Sequence, residues 1–582
     1  MNDSASTFTI NLNGKWRFMV DQDPEYHRHF DYSKAVCLGR WEEVKVPGCW
    51  NKYDARYDLF EGVAWFVRDF DAGKLPEEHV ARLNFGGVNY LADVFLNGQK
   101  VGSHEGGYTA FDMDASKVLQ NGKNRLAVRV DNRHLKMRLP AVIGWYNYGG
   151  IHRDVTLTVT RVSRIAGVRV DAAPQGAGAK GTLVVATATA SSELTVRARI
   201  MNSEGVCLWR GEGPVRDTQG KFSFELEKAR PWSPETPQLY HCEVELLAGA
   251  EVLDRRGISF GIRTLAAEGA RILINGKPLF LRGMCYIYDH PATGVVFDPD
   301  VVKHDLDDLQ AMGVNCLRSH FPAPDFFLDE CDRRGMMLWL EAPIYCLNPK
   351  SSAGGTAFSD SSVKNLAVNM LREMVLQAVN HPSVIIWSVG NECNAEHPEA
   401  EAFFRACVEQ VRALDRSRLI GYASYYGNIG CLQDQADVIG INQYWGWYER
   451  IRQDGAVETA PAINWPCDLS KLDACLREKS ALGKPLLLTE FGADAEPGFR
   501  SAGLDLWSED YQAALIQKHM EIAGKYPAVC GTFPFCYADY RDPSKPVNHH
   551  WRGINLKGVV DYHRNHKLAW PAVQKIYNPN IA

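Results

Sequence analysis

The apolar positions change their period once along this chain, and the change divides it. From the start to about Arg161 they recur every second residue in short runs: WRFMV, AWFVRDF, ARLNFGG, ADVFLNGQKVG, RLAVRV and DVTLTVT, most of them rich in β-branched or aromatic residues. Alternation of this kind, broken by turn residues, marks strands with one buried face. Asn97-Gly98 inside FLNGQKV predicts a two-residue hairpin, because both central residues of a type I′ turn need positive φ. Residues 1–161 are therefore expected to form a β-sandwich of jelly-roll type. A second strand-rich stretch, 162–266, holds GTLVVATATA, LTVRARI and CEVELLAG. Its length of roughly 100 residues suits a seven-stranded immunoglobulin-like sandwich. Within it PQGAGAKG reads as a loop, and the Pro-broken RPWSPETPQLY cannot be a central strand.

Past Ala267 short apolar runs begin to alternate with helical periods. FLRGMCY precedes DVVKHDLDDLQAMG, VNCLRSHF precedes DFFLDECDRRG, and MMLWLEAP precedes VKNLAVNMLREMVLQAVN. The alternation continues to a closing helix near LAWPAVQKIY. Eight strands fit residues 267–582, which predicts a (β/α)₈ barrel with its active site at the C-terminal strand ends.

Two of these strands end alike. SVIIWSVGNECN, from Ser383, is a buried run that delivers Asn391 and Glu392, and KPLLLTEFGAD, from Lys484, delivers Glu490. A parallel strand buried on both faces has no place for a carboxylate in its middle, so both glutamates are expected on the catalytic rim, after strands 4 and 7. One such glutamate reads as a loop carboxylate. Two with the same grammar read as a pair for acid–base or nucleophilic work.

Composition narrows the class. At 582 residues the chain exceeds a single core, and 46% hydrophobic with 23% charged residues is ordinary for a soluble globular protein. A net charge of −6, with no basic run among aromatics, excludes a nucleic-acid partner. No apolar run reaches the ~18 residues of a membrane span. MNDSASTFTI has neither a basic nor an apolar leader region, so no secretion signal is expected. Fifteen scattered cysteines without C-x-x-C point to reduced thiols in a cytoplasm. His563 and His566 lack an acidic or Cys partner at ligand spacing and read as surface residues. No metal or cofactor is expected.

The chain resembles glycoside hydrolase family 2 along essentially its whole length. The motifs are LNGKWRF, VPGCWN, NYGGIHRDV, WSPETPQLY, FGIR, LFLRGM, LRSHFPAP, NHPSVIIWSVGNE and LLLTEFGAD, in the family's order. The resemblance implies the same three domains and a retaining, double-displacement hydrolysis of β-glycosides. Glu490 would be the nucleophile and Glu392 the acid, then base. Asn391 would bond the sugar 2-hydroxyl, Tyr444 the nucleophile, and His320 would line the pocket. NQYWGWY, which ends at Tyr448, and NLKG, which holds Asn555 and Lys557, are most similar to the family's β-glucuronidases. There the Asn-x-Lys pair holds the sugar carboxylate, which implies an exo-acting enzyme on a terminal uronic acid.

Three places depart from that subgroup. Gly144 stands where an acidic residue is usual, Tyr286, Ile287 and Tyr288 replace an Arg-His-Glu signature, and Trp551 takes an arginine position. They leave β-galacturonidase as the alternative, with a neutral-sugar hydrolase such as a β-galactosidase behind it. A carbohydrate-binding protein with an inactive barrel would lack one glutamate, and both are present. A homo-oligomer is expected, because family members commonly assemble.

Overall fold

The computed structural model describes residues 7–22, 41–76, 78–135, 138–191, 193–348, 356–448, 468–545 and 553–579. They fall into two compact units. The first holds both strand-rich stretches together with 377–382; the second holds the rest, including 135–147.

In the first unit, a six-stranded and a four-stranded antiparallel sheet form the N-terminal sandwich. Its core is aromatic: Trp16, Phe18, Trp50 and Phe66 are buried, with Phe18 and Phe66 centroids 5.2 Å apart. Asn97 and Gly98 take φ of 50° and 81° between Leu91–Leu96 and Gln99–Glu105, the expected hairpin. The second sandwich has seven strands in sheets of three and four. Here PQGAGAKG departs from the expected loop. Ile165–Gln175 pairs with Gly178–Thr187 through Gln175 and Gly178, so only two residues turn. Pro174 is tolerated because its strand is at the sheet edge and needs no outward N–H.

The second unit opens with a three-stranded meander, Leu265–Glu268, Arg271–Ile274 and Lys277–Leu279, which hydrophobic alternation alone did not separate from the barrel. A closed eight-stranded parallel barrel follows. Its strands are β1 (Leu281–Cys285), β2 (Cys316–Ser319), β3 (Met337–Glu341), β4 (Val384–Asn391), β5 (Leu419–Tyr425), β6 (Val438–Asn442), β7 (Leu486–Glu490) and β8 (Val529–Thr532). Every residue of β3, β4, β6 and β7 is buried, which is why they read as continuous apolar runs. Helix ends follow local chemistry. Helix α1 (Pro299–Met312) starts with Asp298 accepting from the N–H of Asp300 and Val301, and stops at Gly313 with φ 93°.

The barrel ladder slips where the glutamates emerge. Between β4 and β5 the register passes from Ser388–Gly421 to Asn391–Ala423, one extra residue on β4. Between β6 and β7 it passes from Ile441–Leu488 to Asn442–Glu490, one extra residue on β7. Such bulges re-aim side chains at barrel rims. The β4 bulge contains Gly390, at φ 159°, whose added Cβ would meet the Ile344 carbonyl at 3.1 Å. Glu392 then enters the left-handed region, at φ 50°, a conformation that costs a non-glycine residue of order 1–3 kcal/mol.

Candidate active site

The strand ends bring the two glutamates into one hydrogen-bonded network. Glu490, the last residue of β7, is 5% exposed. Its Oε1 accepts from Arg318 Nη1 at 2.8 Å and its Oε2 from the Tyr444 hydroxyl at 2.8 Å. His320 Nε2 lies 3.6 Å from the same carboxylate. Glu392, just past β4, accepts from Asn442 Nδ2 at 2.9 Å and lies 3.8 Å from the Cys346 thiol. Asn391 sits between them. Its Oδ1 accepts from Arg318 Nη2 at 2.7 Å and from Asn442 Nδ2 at 2.9 Å. Those two bonds fix the amide orientation and leave its buried Nδ2 without an acceptor among the described residues. A buried N–H₂ without a partner is an expensive arrangement, and a ligand oxygen would satisfy it.

The two carboxylates are electrostatically unequal. Glu490 faces a fully buried guanidinium, whereas the donors to Glu392 among the described residues are an amide and a thiol. Burial pushes the Glu392 carboxyl up to about 8, and the charge of Glu490 adds to the shift. One member of the pair thus keeps its proton near neutrality beside an ion-paired neighbour.

The sequence motifs contained further members that patterning did not single out. Arg318, at the end of β2, also bonds both oxygens of Glu341 at 3.2 Å. Glu341 ends β3 by the same strand-then-glutamate grammar and was open to the same reading. Burial alone would raise its carboxyl, but Arg318 and bonds from His320 and Ser388 hold it below the usual carboxylate range. Asn442, at the end of β6, accepts at Oδ1 from the Thr489 hydroxyl and donates from Nδ2 to Asn391 and Glu392. His320 stacks on Trp145, with centroids 5.8 Å apart.

The Asn-x-Lys segment reaches the same neighbourhood from the other side. Lys557 is buried, ion-paired with Asp494, and lies over the rings of Tyr448 at 4.8 Å and Tyr444 at 5.6 Å. One aromatic ring therefore separates this ammonium from Glu490. Asn555 Nδ2 donates to the Tyr540 hydroxyl at 2.9 Å and faces Asp542 at 3.4 Å. Both side chains are thus held by acidic or phenolic neighbours. Asp494 is the last residue of LLLTEFGAD, four past Glu490. Tyr448 is 39% exposed and accepts from Lys545 at 2.7 Å.

Of the departures, Gly144 has a physical counterpart. A Cβ there would stand 2.9 Å from the Tyr345 hydroxyl, so tyrosine occupies the space an acidic side chain would need. Tyr286 and Tyr288 are buried; Tyr286 donates to Asp305 at 3.0 Å, and the Tyr288 hydroxyl accepts from the Asp298 N–H at 2.8 Å. Ile287 is buried too. Trp551 lies outside the described residues, as does 349–355 within CLNPKSSAGGTAFSD. His563 and His566 do not converge on one partner; His566 bonds Asp308 at 2.9 Å and stacks on Trp570.

A parallel barrel that delivers a proton-holding carboxyl just past β4 and a guanidinium-paired one at the end of β7 has the machinery of a glycoside hydrolase. Three family models together span nearly the whole chain: glycosyl hydrolases family 2, sugar binding domain, over residues 10–161; glycosyl hydrolases family 2 over 163–263; and glycosyl hydrolases family 2, TIM barrel domain, over 265–580. The chain belongs to glycosyl hydrolase family 2. A β-glucuronidase of Paenibacillus borealis is 27% identical, covering 97% of this chain and 96% of its own. A β-galacturonidase of Eisenbergiella tayi, solved with glycerol bound, is 27% identical with a TM-score of 0.82, covering 98% and 96%. A β-D-glucuronidase of Dictyoglomus thermophilum is 25% identical with a TM-score of 0.84, covering 99% and 98%. No helix among the described residues is long and apolar enough to cross a membrane.

Proposed function

We propose that the protein is a retaining, exo-acting β-glucuronidase that releases a terminal uronic acid by double displacement. The observation that carries the uronide reading is the buried Lys557 ammonium, one tyrosine ring away from Glu490. A neutral glycone has no use for a cation there, whereas a sugar carboxylate gains charge-assisted hydrogen bonds. Asp494 takes one of its donors and the Tyr448 hydroxyl stands beside it.

In the first step Glu490 attacks the anomeric carbon while Glu392 gives its proton to the departing oxygen. Having given up its proton, Glu392 is a carboxylate, and the glycosyl–Glu490 ester carries no charge to repel it. As base it takes a proton from the attacking water, whose oxygen bonds the anomeric carbon and displaces Glu490. Arg318 and Tyr444 hold Glu490 oriented, and the Asn391 N–H₂ is the donor for the 2-hydroxyl. Proton donation by Glu392 fixes the sign of a pH dependence. kcat/KM for a substrate with a poor leaving group falls as pH rises through about 8. A pH–rate profile whose alkaline limb lies near 5 would contradict this assignment.

β-Galacturonidase is the second reading, and Gly144 favours it. With Tyr345 in place of an acidic side chain, the hydroxyl check on that side of the sugar differs from the glucuronidase pattern. Side-by-side rates on chromogenic β-glucuronide, β-galacturonide, β-galactoside and β-glucoside decide. We expect the glucuronide to lead and both neutral glycosides to trail; a leading galactoside would remove the uronide reading. A reducing, cytoplasmic setting and a homo-oligomeric assembly belong to the same proposal. The thirteen cysteines among the described residues, all free thiols, support the first.

A further inference from the structure

Behind the Asn555–Lys557 segment lies a second lysine that the chemistry above does not use. Lys567 has a side chain only 1% exposed, as has its partner Asp539. An ammonium has three donors, and Lys567 spends all three within 3.0 Å: on the Ala495 carbonyl at 3.0 Å, the Leu556 carbonyl at 3.0 Å and Asp539 Oδ1 at 2.8 Å. Ala495 directly follows Asp494, and Leu556 directly precedes Lys557. The buried ammonium therefore ties together the two backbones that carry the Asp494–Lys557 ion pair. Asp539 Oδ1 also accepts from the Gly558 N–H at 2.8 Å, gripping the segment just past Lys557. Gln512, on the helix Glu509–Ala523, donates to the Ala493 carbonyl at 2.9 Å and the Gly558 carbonyl at 3.1 Å, so a third side chain crosses the same seam.

We propose that Lys567 and Asp539 are positioning residues for recognition of the sugar carboxylate, holding the Asp494 and Lys557 backbones in register so that the Lys557 ammonium stands where an anionic glycone needs it. This rests on the reading of Asn555 and Lys557 as the carboxylate grip. Core cohesion is a poor explanation for the pair. Burying two charges costs more than burying apolar groups of the same size, and such pairs are retained best where they fix geometry. The cost is visible in Asp539. Its Oδ2 has no partner among the described residues, and burial pushes its carboxyl up to about 7 although Lys567 pulls it down. The Asp494 charge adds to that push, placing both acids of the seam in electrostatic contact.

A double-mutant cycle on the full chain tests this, with 4-nitrophenyl β-glucuronide (or the galacturonide, if that is the better substrate) as probe. Lys557→Ala, Lys567→Met and the double variant are compared for kcat and KM. Lys567→Met is expected to raise KM about tenfold or more while kcat changes by less than about threefold, as befits lost binding geometry. Because Lys567 acts through Lys557, the double variant should be no worse than Lys557→Ala alone, and Lys567→Arg should restore part of the loss. Losses that multiply in the double variant, or a fall in kcat with KM unchanged, would overturn the proposal. If Lys567→Met does not fold, Asp539→Asn is read against the same criteria; it keeps an acceptor for Gly558 and removes the charge. A Lys557→Ala enzyme that loses uronide and neutral-glycoside activity equally would instead bring down the carboxylate-grip reading itself. An effect of Lys557→Ala without one of Lys567→Met would bring down only the present inference.

Discussion

Glu490→Gln should lose turnover on every glycoside by at least about 10⁴-fold and form no covalent intermediate, because the amide cannot attack the anomeric carbon. Glu392→Gln should behave differently, and the difference follows from the network around each carboxyl. With a leaving group that needs no proton, Glu490 remains held by Arg318 and Tyr444, so glycosylation continues at a rate within about tenfold of the parent. Deglycosylation then stalls for want of a base, and the glycosyl-enzyme accumulates. A burst of released nitrophenol, equal to the enzyme present and followed by a slow steady state, is the expected trace. Equal loss in both variants on activated and unactivated substrates alike would count against the assignment of roles.

Lys557→Ala should cut uronide hydrolysis by about ten- to a hundredfold or more, since each charge-assisted hydrogen bond is worth about 1.5–3 kcal/mol. A matching neutral glycoside should be affected far less. The structure refines how this is measured. Removing the ammonium leaves Asp494, 2% exposed, as a buried carboxylate without its cation. That costs stability, by about 3–5 kcal/mol for a broken buried pair, and also repels an incoming uronate. The companion variant Lys557→Ala/Asp494→Asn relieves both effects. If it recovers thermal stability yet still discriminates against the uronide, the lysine recognises the carboxylate directly. If it loses uronide and neutral activity equally, Lys557 is a structural residue.

The barrel and its two glutamates were legible because buried parallel strands have a one-dimensional signature: a continuous apolar run, then a polar residue at the rim. Glu392 and Glu490 both show it. Glu341 shows it as well, and only the fold reveals that it supports Arg318 from inside the barrel. Arg318 itself was illegible for a physical reason. Its charge is balanced by Glu341 and Glu490, which lie 23 and 172 residues away, and no local pattern records such a pairing. The same holds for the pairing of Lys557 with Asp494, 63 residues away, whose two backbones Lys567 ties together. PQGAGAKG misled because glycine and alanine signal a loop in isolation. Here the pairing of Gln175 with Gly178 draws all but two of its residues into a hairpin ladder. The left-handed Glu392 and the β4 bulge had a faint signal in Gly390, but the bulge exists only in the register between two strands.

The most direct measurement of the central claim is mass mapping of the chain after reaction with a 2-deoxy-2-fluoro-β-glucuronide that carries a good leaving group. The fluorine slows both steps, and the reactive leaving group lets the first proceed, so a covalent intermediate persists long enough to digest. The account predicts one 2-fluoroglucuronyl unit per chain, on the peptide containing Glu490, with activity returning as the adduct turns over. An adduct on Glu392, or steady hydrolysis of the parent glucuronide with no adduct at any carboxylate, would contradict it.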